Sequence, residues 1–380
     1  MIVVIADDLT GAAEIGGIGL RYGLKAEIVT HIPKTSSADL LIISTDTRSM
    51  PEKQALEITK AVSEAIRDIN PSVIFKKIDS VMRGHIIPEL NLHLQILGKS
   101  KALLVPANPG FGRKLTGGKY YVNDRLIHET PFMHDPEFPV KGPHPHEMLR
   151  VDESDITVLT HGEELPSTGI IVGETATHHE LSAWIKKAND DTLLAGGAGL
   201  FIALLEDRQL QNANQNSDEP LQEPALFVCG TTHDKSRSKI KQIKTEAGPV
   251  SYMPYHIISY ATETGFETWA DEIVSLLERN KKAIIAIDES MTANSKVTAA
   301  DLREKKAMVV AVVLQKTLIK ELLIEGGSTA AAIINQLNFN RFFPVSEPGA
   351  GVIKMNVANS DLLLTLKPGS YDWPANTWTF

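Results

Sequence analysis

Four short stretches of this 380-residue chain combine acids, bases and hydroxyls, and each directly follows an apolar run. They are Asp7-Asp8-Leu9-Thr10-Gly11-Ala12, Ser44-Thr45-Asp46-Thr47-Arg48, Lys76-Lys77-Ile78-Asp79-Ser80-Val81-Met82-Arg83-Gly84, and Pro106-Ala107-Asn108-Pro109 running on to Gly112-Arg113. Between them they offer Arg48, Lys77, Arg83 and Arg113 beside Asp7, Asp8, Asp79 and Ser80. Such a mixture suits a small polyhydroxylated acid. Arginine grips a carboxylate through two parallel N–H bonds. Carboxylates accept hydrogen bonds from hydroxyls, and a well-placed Asp can orient or deprotonate a hydroxyl that attacks. The plainer reading is a set of surface ion pairs, each worth little. That reading suits any single segment better than it suits all four at once.

The elements that must position these residues follow from pattern. Ile2-Val3-Val4-Ile5-Ala6 is a continuous apolar run, as in a strand buried on both faces of a parallel sheet. Asp7 and Asp8 therefore stand at a strand's carboxyl end, where open α/β sheets place ligands. Thr10 is expected to cap the helix that follows, with Gly11 allowing a tight turn. Further strands are expected at 25–30, 38–44, 73–76 and 101–106. Helices are expected at 51–68 and 87–98, the former with Ala55, Ile58, Ala61, Val62 and Ile66 on one face. This is a βαβ rhythm. Residues 108–146, rich in Pro, Gly and His, interrupt it with a hairpin turning at Asn123-Asp124. It then resumes through 169–207.

A chain this long exceeds one ordinary core. Arg208–Pro224 is polar and low in large apolar residues, as linkers are. The expectation is an α/β protein of two domains, 1–207 and 225–380, joined by the linker 208–224, with mainly parallel sheets flanked by helices. In the second domain, strands are expected at 226–229, 283–287 and 322–324. Helices are expected at 234–246, 264–279, 298–320 and 330–337. Thr264 and Glu267 have capping-box spacing, and a β pair is expected within 352–366.

Composition excludes several classes. A net charge of −9 argues against nonspecific nucleic-acid binding. The lone Cys229 rules out an intrachain disulfide or a cysteine metal cluster and suits a reducing cytosol, so a cytoplasmic location is expected. The N-terminus enters a strand without a signal segment, and no apolar run nears the roughly 18 residues of a membrane span. The chain lacks the P-loop and dinucleotide glycine patterns, the Gly-x-Ser-x-Gly elbow and the His-Glu-x-x-His metal pair. Histidines are scattered, with His85 and His128 nearest the suspected site. The second domain does carry strand-to-glycine turns at Cys229-Gly230-Thr231, Glu325-Gly326-Gly327-Ser328-Thr329 and Lys367-Pro368-Gly369. Backbone N–H groups at such turns can bind phosphate, although a lone glycine turn usually only turns.

The segment Ile5-Ala6-Asp7-Asp8-Leu9-Thr10-Gly11-Ala12, followed by Lys76 to Gly84, resembles the four-carbon acid sugar kinase family. Shorter matches follow in order: Pro106-Ala107-Asn108-Pro109, Tyr121-Val122-Asn123, Asp135-Pro136, Gly197-Ala198-Gly199-Leu200, Gly326-Gly327-Ser328-Thr329 and Lys367-Pro368-Gly369. The resemblance implies an N-terminal domain that binds the acid sugar and a C-terminal domain that binds ATP with Mg²⁺. The active site would lie in the cleft between them, and a homodimer is compatible. Carried over by position, one acid of the pair Asp8 and Asp7, Asp8 by preference, would orient or deprotonate the attacking hydroxyl, with the other as its support. With Arg48, Lys77, Asp79, Ser80, Arg83 and Arg113 they also bind substrate. Thr231, Gly326, Gly327, Ser328, Thr329 and Gly369 contact the nucleotide. The chain departs from the family at Ser328, where an acid is usual, and at Thr231-Thr232. Two rivals follow from the sequence: a sugar-acid-binding protein without turnover, and a phosphatase of the haloacid dehalogenase type. The latter needs Asp-x-Asp, and Leu9 stands where its second acid would be.

Overall fold

The computed structural model describes residues 1–33, 35–135, 137–212, 219–230, 234–260, 262–288, 290, 297–369 and 371–380. The chain divides into two compact units, Met1–Asn214 and Gln215–Phe380.

The first unit begins β1 (Ile2–Ala6), α1 (Leu9–Arg21), β2 (Ala26–Val29), β3 (Leu40–Ser44), α2 (Glu52–Ile69), β4 (Val73–Lys77), α3 (Ile86–Leu97) and β5 (Lys101–Val105). The excursion follows as β6 (Arg113–Thr116), β7 (Lys119–Val122), β8 (Arg125–Leu126) and α4 (Pro145–Leu149). The unit closes with β9 (Thr157–Leu159), β10 (Gly169–Gly173), α5 (His178–Lys187), β11 (Thr192–Gly196) and α6 (Ala198–Asp207). Its main sheet runs β2-β3-β1-β4-β11-β5-β10-β9, every neighbouring pair parallel. Every residue of β1 is buried, as its unbroken apolar run requires.

Register positions the chemistry. Ala6 is level with Ser44 and Lys77, Lys77 with Gly196, and Gly196 with Val105. The loops after β1, β3, β4 and β5 therefore leave the sheet at one height. These are the four stretches with acids, bases and hydroxyls.

Some local expectations are corrected. Asp8, not Thr10, is the N-cap of α1, because the helix already begins at Leu9. Thr10 sits inside the first turn and donates its hydroxyl to Asp8. The hairpin at Asn123-Asp124 forms with both residues at positive φ, 49° and 61°, as a primed turn needs. It belongs to a small antiparallel sheet, β6-β7-β8, whose first strand the pattern did not reveal.

The second unit contains β12 (Ala225–Cys229), α7 (Asp234–Thr245), β13 (Val250–Tyr252), α8 (Tyr255–Tyr260), α9 (Glu263–Asn280) and β14 (Lys282–Ala286). It continues with α10 (Ala299–Lys316), β15 (Glu321–Glu325), α11 (Gly327–Gln336), β16 (Arg341–Gly349), β17 (Val352–Val357) and β18 (Leu363–Lys367). Strands β13-β14-β12-β15-β18 are parallel, and β17 and β16 continue antiparallel beyond β18. Cys229, Glu325 and Lys367 are level at the strand ends. Helix α9 is capped by Thr262, whose hydroxyl accepts the Gly265 N–H at 3.1 Å. Thr264 lies inside that helix, so its spacing to Glu267 makes no cap. Strand β16 escaped the pattern because Pro344 and Pro348 lie within it and its pairing slips twice.

Packing of the first unit predicts one stability effect. A Cβ at Gly173 would stand 2.7 Å from the Trp184 ring and 3.0 Å from Val105. Trp184 is fully buried and donates its indole N–H to the Glu174 carbonyl at 2.9 Å, so it cannot easily move. Gly173→Ala should destabilise the protein by about 1–3 kcal/mol, the usual cost of overpacking. Urea unfolding measures this, and an unchanged midpoint would contradict the packing described.

Candidate active site

The chain leaves β1 through Asp7 and Asp8. Asp8 is extended, with φ −147° and ψ 161°, and caps α1. Its Oδ1 accepts the Gly11 N–H at 2.9 Å, and its Oδ2 accepts the Thr10 hydroxyl. Gly11 serves here by lacking a side chain. A Cβ there would stand 2.6 Å from Asp8 Oδ1 and 3.3 Å from Lys77 Nζ. It is a residue of close approach rather than of a tight turn.

Arg48, from the loop after β3, lies across both acids. Its Nε and Nη2 donate to Asp7 Oδ2 and Oδ1 at 3.0 and 2.8 Å, and Nη2 also reaches Asp8 Oδ1 at 2.9 Å. The Arg48 N–H donates to the Asp7 carbonyl at 3.2 Å, and both the N–H and hydroxyl of Thr45 donate to the Ala6 carbonyl. The loop is thus stitched to the end of β1. Gly84, at φ +100°, lies against the other side, where a Cβ would be 3.3 Å from Asp7 Oδ2 and 3.4 Å from Arg48 Cγ.

The loop after β4 repeats the device. Asp79 takes a two-pronged grip from Arg83, Nε to Oδ2 at 2.8 Å and Nη2 to Oδ1 at 3.0 Å. It also accepts the N–H groups of Val81 and Arg83. Arg83 Nη1 continues to Asp135 Oδ2 at 3.1 Å. Lys77, buried, binds Glu14 at 3.2 Å and the Ile78 carbonyl at 3.1 Å. Arg113 donates to the Ser80 hydroxyl, and the buried Tyr120 hydroxyl donates to the Ser80 carbonyl. Arg48 and Arg83 therefore spend their forks on protein carboxylates. Arg113 makes no ion pair among the described residues. Most of its five N–H donors stay open to a ligand.

The two adjacent acids are driven apart. Burial is the largest influence on Asp7 and raises its carboxyl above the ordinary range; Arg48 offsets only part, and the charge of Asp8 adds to the rise. Burial also pushes Asp8 upward. There Arg48 and Lys77, with the bonds from Thr10 and Gly11, outweigh it and hold the carboxyl low. For Asp79, burial is again outweighed, first by Arg83 and then by Arg48 and Arg113, and the carboxyl is held well below the usual range. One carboxylate that feels all three arginines places them in one cluster.

Glu14, Asp135 and Tyr120 were not singled out in sequence as site residues. Glu14 sits on a helix without a motif, and the other two lie in the irregular excursion, where no period points to a face. His85 bonds the Met50 carbonyl at 2.7 Å.

In the second unit, Gly326 precedes α11 at φ +98°, ψ 129°, and its N–H donates to the Lys367 carbonyl at 2.9 Å. Ser328 is exposed and Thr329 buried in the first turn of that helix. The Gly230 N–H donates to the Glu325 carbonyl at 3.0 Å, and a Cβ at Gly230 would collide with the Thr329 hydroxyl at 2.1 Å. Gly369 lies in the turn after β18 and is half-buried. Thr231, with Thr232 and His233, lies outside the described residues. The turn residues Gly326, Gly327, Ser328 and Thr329 thus stand beside Gly230 and Lys367, presenting first-turn N–H groups that lack helical partners. Behind them, burial pushes the Lys306 ammonium down to about 8, and it donates to the Cys229 carbonyl at 3.1 Å.

The Asp79–Arg83 pair supplies a pH-dependent test. An acid with a depressed folded pKa stabilises the fold above its unfolded value, about 3.9, and loses that contribution as pH falls through the folded value. Asp79→Asn leaves a half-satisfied arginine and should cost about 2 kcal/mol at pH 7, below the full buried-pair penalty because Arg83 keeps some solvent. The deficit should be constant between about pH 5 and 8 and shrink only in stronger acid. Urea unfolding across that range is the measurement; a variant as stable as the parent at pH 7 would contradict the assignment.

Residues 2–204 match the family described as Sugar-binding N-terminal domain. A D-threonate kinase of Salmonella typhimurium is 24% identical over 97% of this chain and 95% of its own. A 3-oxo-tetronate kinase of Actinobacillus succinogenes is 22% identical over 98% and 96%. A crystal structure of a Salmonella typhimurium LT2 protein shares the fold with a TM-score of 0.81 at 18% identity, covering 99% of this chain and 97% of the other. No described helix is long and apolar enough to cross a membrane. The sugar-binding match over more than half the chain, with relatives aligned along nearly all of it, shows that the chain belongs to the four-carbon acid sugar kinase family.

Proposed function

We propose that the protein transfers the γ-phosphoryl group of ATP to the terminal hydroxyl of a four-carbon sugar acid of the threonate, erythronate or oxo-tetronate type. The observation that supports this best is the acid–arginine cluster at the strand ends of the first unit. It holds three carboxylates clamped by Arg48 and Arg83, and beside Asp79 it holds Arg113, which has no ion pair among the described residues. A sugar acid brings the missing carboxylate to Arg113 and its hydroxyls to the acids and to Ser80.

Within this reading the roles divide. Asp8 is committed to the helix cap and to Arg48, and its carboxyl is held low. Among the described residues the Asp7 carboxylate accepts from Arg48 alone, one bond on each oxygen, so each oxygen keeps a lone pair for a hydroxyl, and burial raises its carboxyl. We assign Asp7 to the attacking hydroxyl and Asp8 to its support. Lys77, Asp79 and Arg83 set the local charge and hold the loop that carries Ser80. The phosphates lie on the free first-turn N–H groups of Gly327 to Thr329, at the bend that Gly326 makes, with Gly369 as the neighbouring turn. Thr231, expected from the sequence to join them, lies outside the described residues. Among the described residues, no three His, Cys, Asp or Glu gather as a metal site. Mg²⁺ would enter with ATP as part of the nucleotide substrate and would neutralise phosphate charge there. Phosphoryl transfer asks chiefly for positioning and charge neutralisation, and both are what these groups supply.

The test is to incubate the protein with Mg-ATP and a panel of threonates, erythronates and oxo-tetronates and to follow ADP. Turnover is expected with an acid and not with the corresponding neutral sugar; ADP release with none of the acids would overturn the proposal. Arg113→Ala should raise the KM for the acid about ten- to a hundredfold, the worth of a charge-assisted bond, and leave the KM for ATP in place. An unchanged acid KM would remove Arg113 from substrate binding.

A further inference from the structure

The turns given above to nucleotide all meet at one side chain that cannot itself reach it. Glu325, the last residue of β15, is fully buried. Its Oε1 accepts the Ser236 hydroxyl at 2.6 Å, from the first turn of α7, and the Lys367 ammonium at 3.1 Å, from the end of β18. Its Oε2 accepts the indole N–H of Trp373 at 3.1 Å. Its backbone carbonyl accepts the Gly230 N–H. Lys367 extends the network, donating to the Pro368 carbonyl at 3.0 Å and to the Tyr371 carbonyl, so that it closes the turn holding Gly369.

The segments that converge are therefore the end of β12 with α7, the turn into α11, the turn after β18, and residues 371–380. Trp373 is itself fixed. It stacks on Trp378 with centroids 5.9 Å apart and rings 8° from parallel, and meets Phe227 edge-on at 5.9 Å. A buried ion pair is weak as a source of stability, since apolar residues of the same volume often do as well. Its fixed donors and acceptors do hold separate segments at set distances.

We propose that Glu325 is a positioning residue for nucleotide binding: through Ser236, Lys367 and Trp373 it locks the turns at Gly230, Gly326 and Gly369 at the spacing that the phosphates require. This rests on the reading of those turns as the nucleotide site. Because Glu325 is buried and both its oxygens are engaged, it acts through the turns and touches neither ATP nor its metal.

Trp373→Phe keeps an aromatic ring in the stack and beneath the Lys367 ammonium, and deletes the donor to Glu325. Trp378→Phe alters the same stack without touching Glu325 and serves as the control. ADP binding is measured by calorimetry without sugar acid, with the KM for each substrate measured separately. Trp373→Phe should weaken ADP binding about three- to tenfold, a part of the worth of one hydrogen bond to a charged group because the loss reaches ADP only through the turns, and raise the KM for ATP alike. The KM for the sugar acid should stay within twofold of the parent, and Trp378→Phe should bind ADP as the parent does. Glu325→Gln should lose more affinity than Trp373→Phe; if it does not fold, Trp373→Phe decides. Unchanged ADP binding in Trp373→Phe, or equal weakening in Trp378→Phe, overturns the proposal. If the parent protein itself fails to bind ADP, the nucleotide reading falls first and this inference with it.

Discussion

Two adjacent carboxylates pulled out of water repel each other and resist ionisation. The first unit resolves this with one guanidinium. Arg48 spans Asp7 and Asp8, and it can do so because β1 and β3 are parallel neighbours whose ends are level at Ala6 and Ser44. A shift of one residue in that register would turn the side chains of β3 to the other face and displace the loop that carries Arg48. The start of α1, the place of Gly11, the course of the Thr45–Arg48 loop and the approach of Gly84 all depend on this contact. It also leaves the two acids unlike each other, one committed to a cap and held low, the other raised by burial. Neighbouring acids with opposite shifts are a common basis for dividing roles in catalysis.

The second unit applies the same principle to a different end. At the level ends of β15 and β18, Glu325 and Lys367 form a pair without solvent contact. There the pair serves neighbouring backbone: the N–H groups of Gly230 and Gly326 donate to the Glu325 and Lys367 carbonyls, which leaves the first-turn N–H groups of Gly327 to Thr329 without helical partners. In the first unit Asp7 and Asp8 are buried but keep 4% and 7% exposure; in the second Glu325 has none. The contrast fits a division in which one unit offers side chains to a hydroxylated anion and the other offers main chain to phosphate.

Much of the sheet was legible in the sequence, because a strand buried on both faces leaves an unbroken apolar run. Ile2–Ala6 and the 101–105 run have that form, and the turn residues Asn123-Asp124 and Asn359 mark hairpins by their tolerance of positive φ. The four stretches that cluster at the strand ends were readable for the same reason. Partner choice was not readable. Arg48 and Arg83 looked like substrate ligands and are occupied by Asp7, Asp8 and Asp79, since pairing depends on loop paths that no period encodes. The caps at Asp8 and Thr262 were misplaced by two residues, because several hydroxyls and acids cluster at each helix start. Strand β16 and the aromatic cluster of residues 373–380 lack a clean period and showed only in three dimensions.

The central claim is that Arg48 holds Asp7 as the proton acceptor for the attacking hydroxyl. The most direct measurement is kcat for the Asp7→Asn variant with the sugar acid that the parent enzyme phosphorylates. Asn keeps the shape of the side chain and can still accept from Arg48, so a folded protein with a normal KM for ATP is expected. The account predicts a fall in kcat of about 10²- to 10⁴-fold, the usual contribution of a positioned general base. A kcat within threefold of the parent's would contradict it.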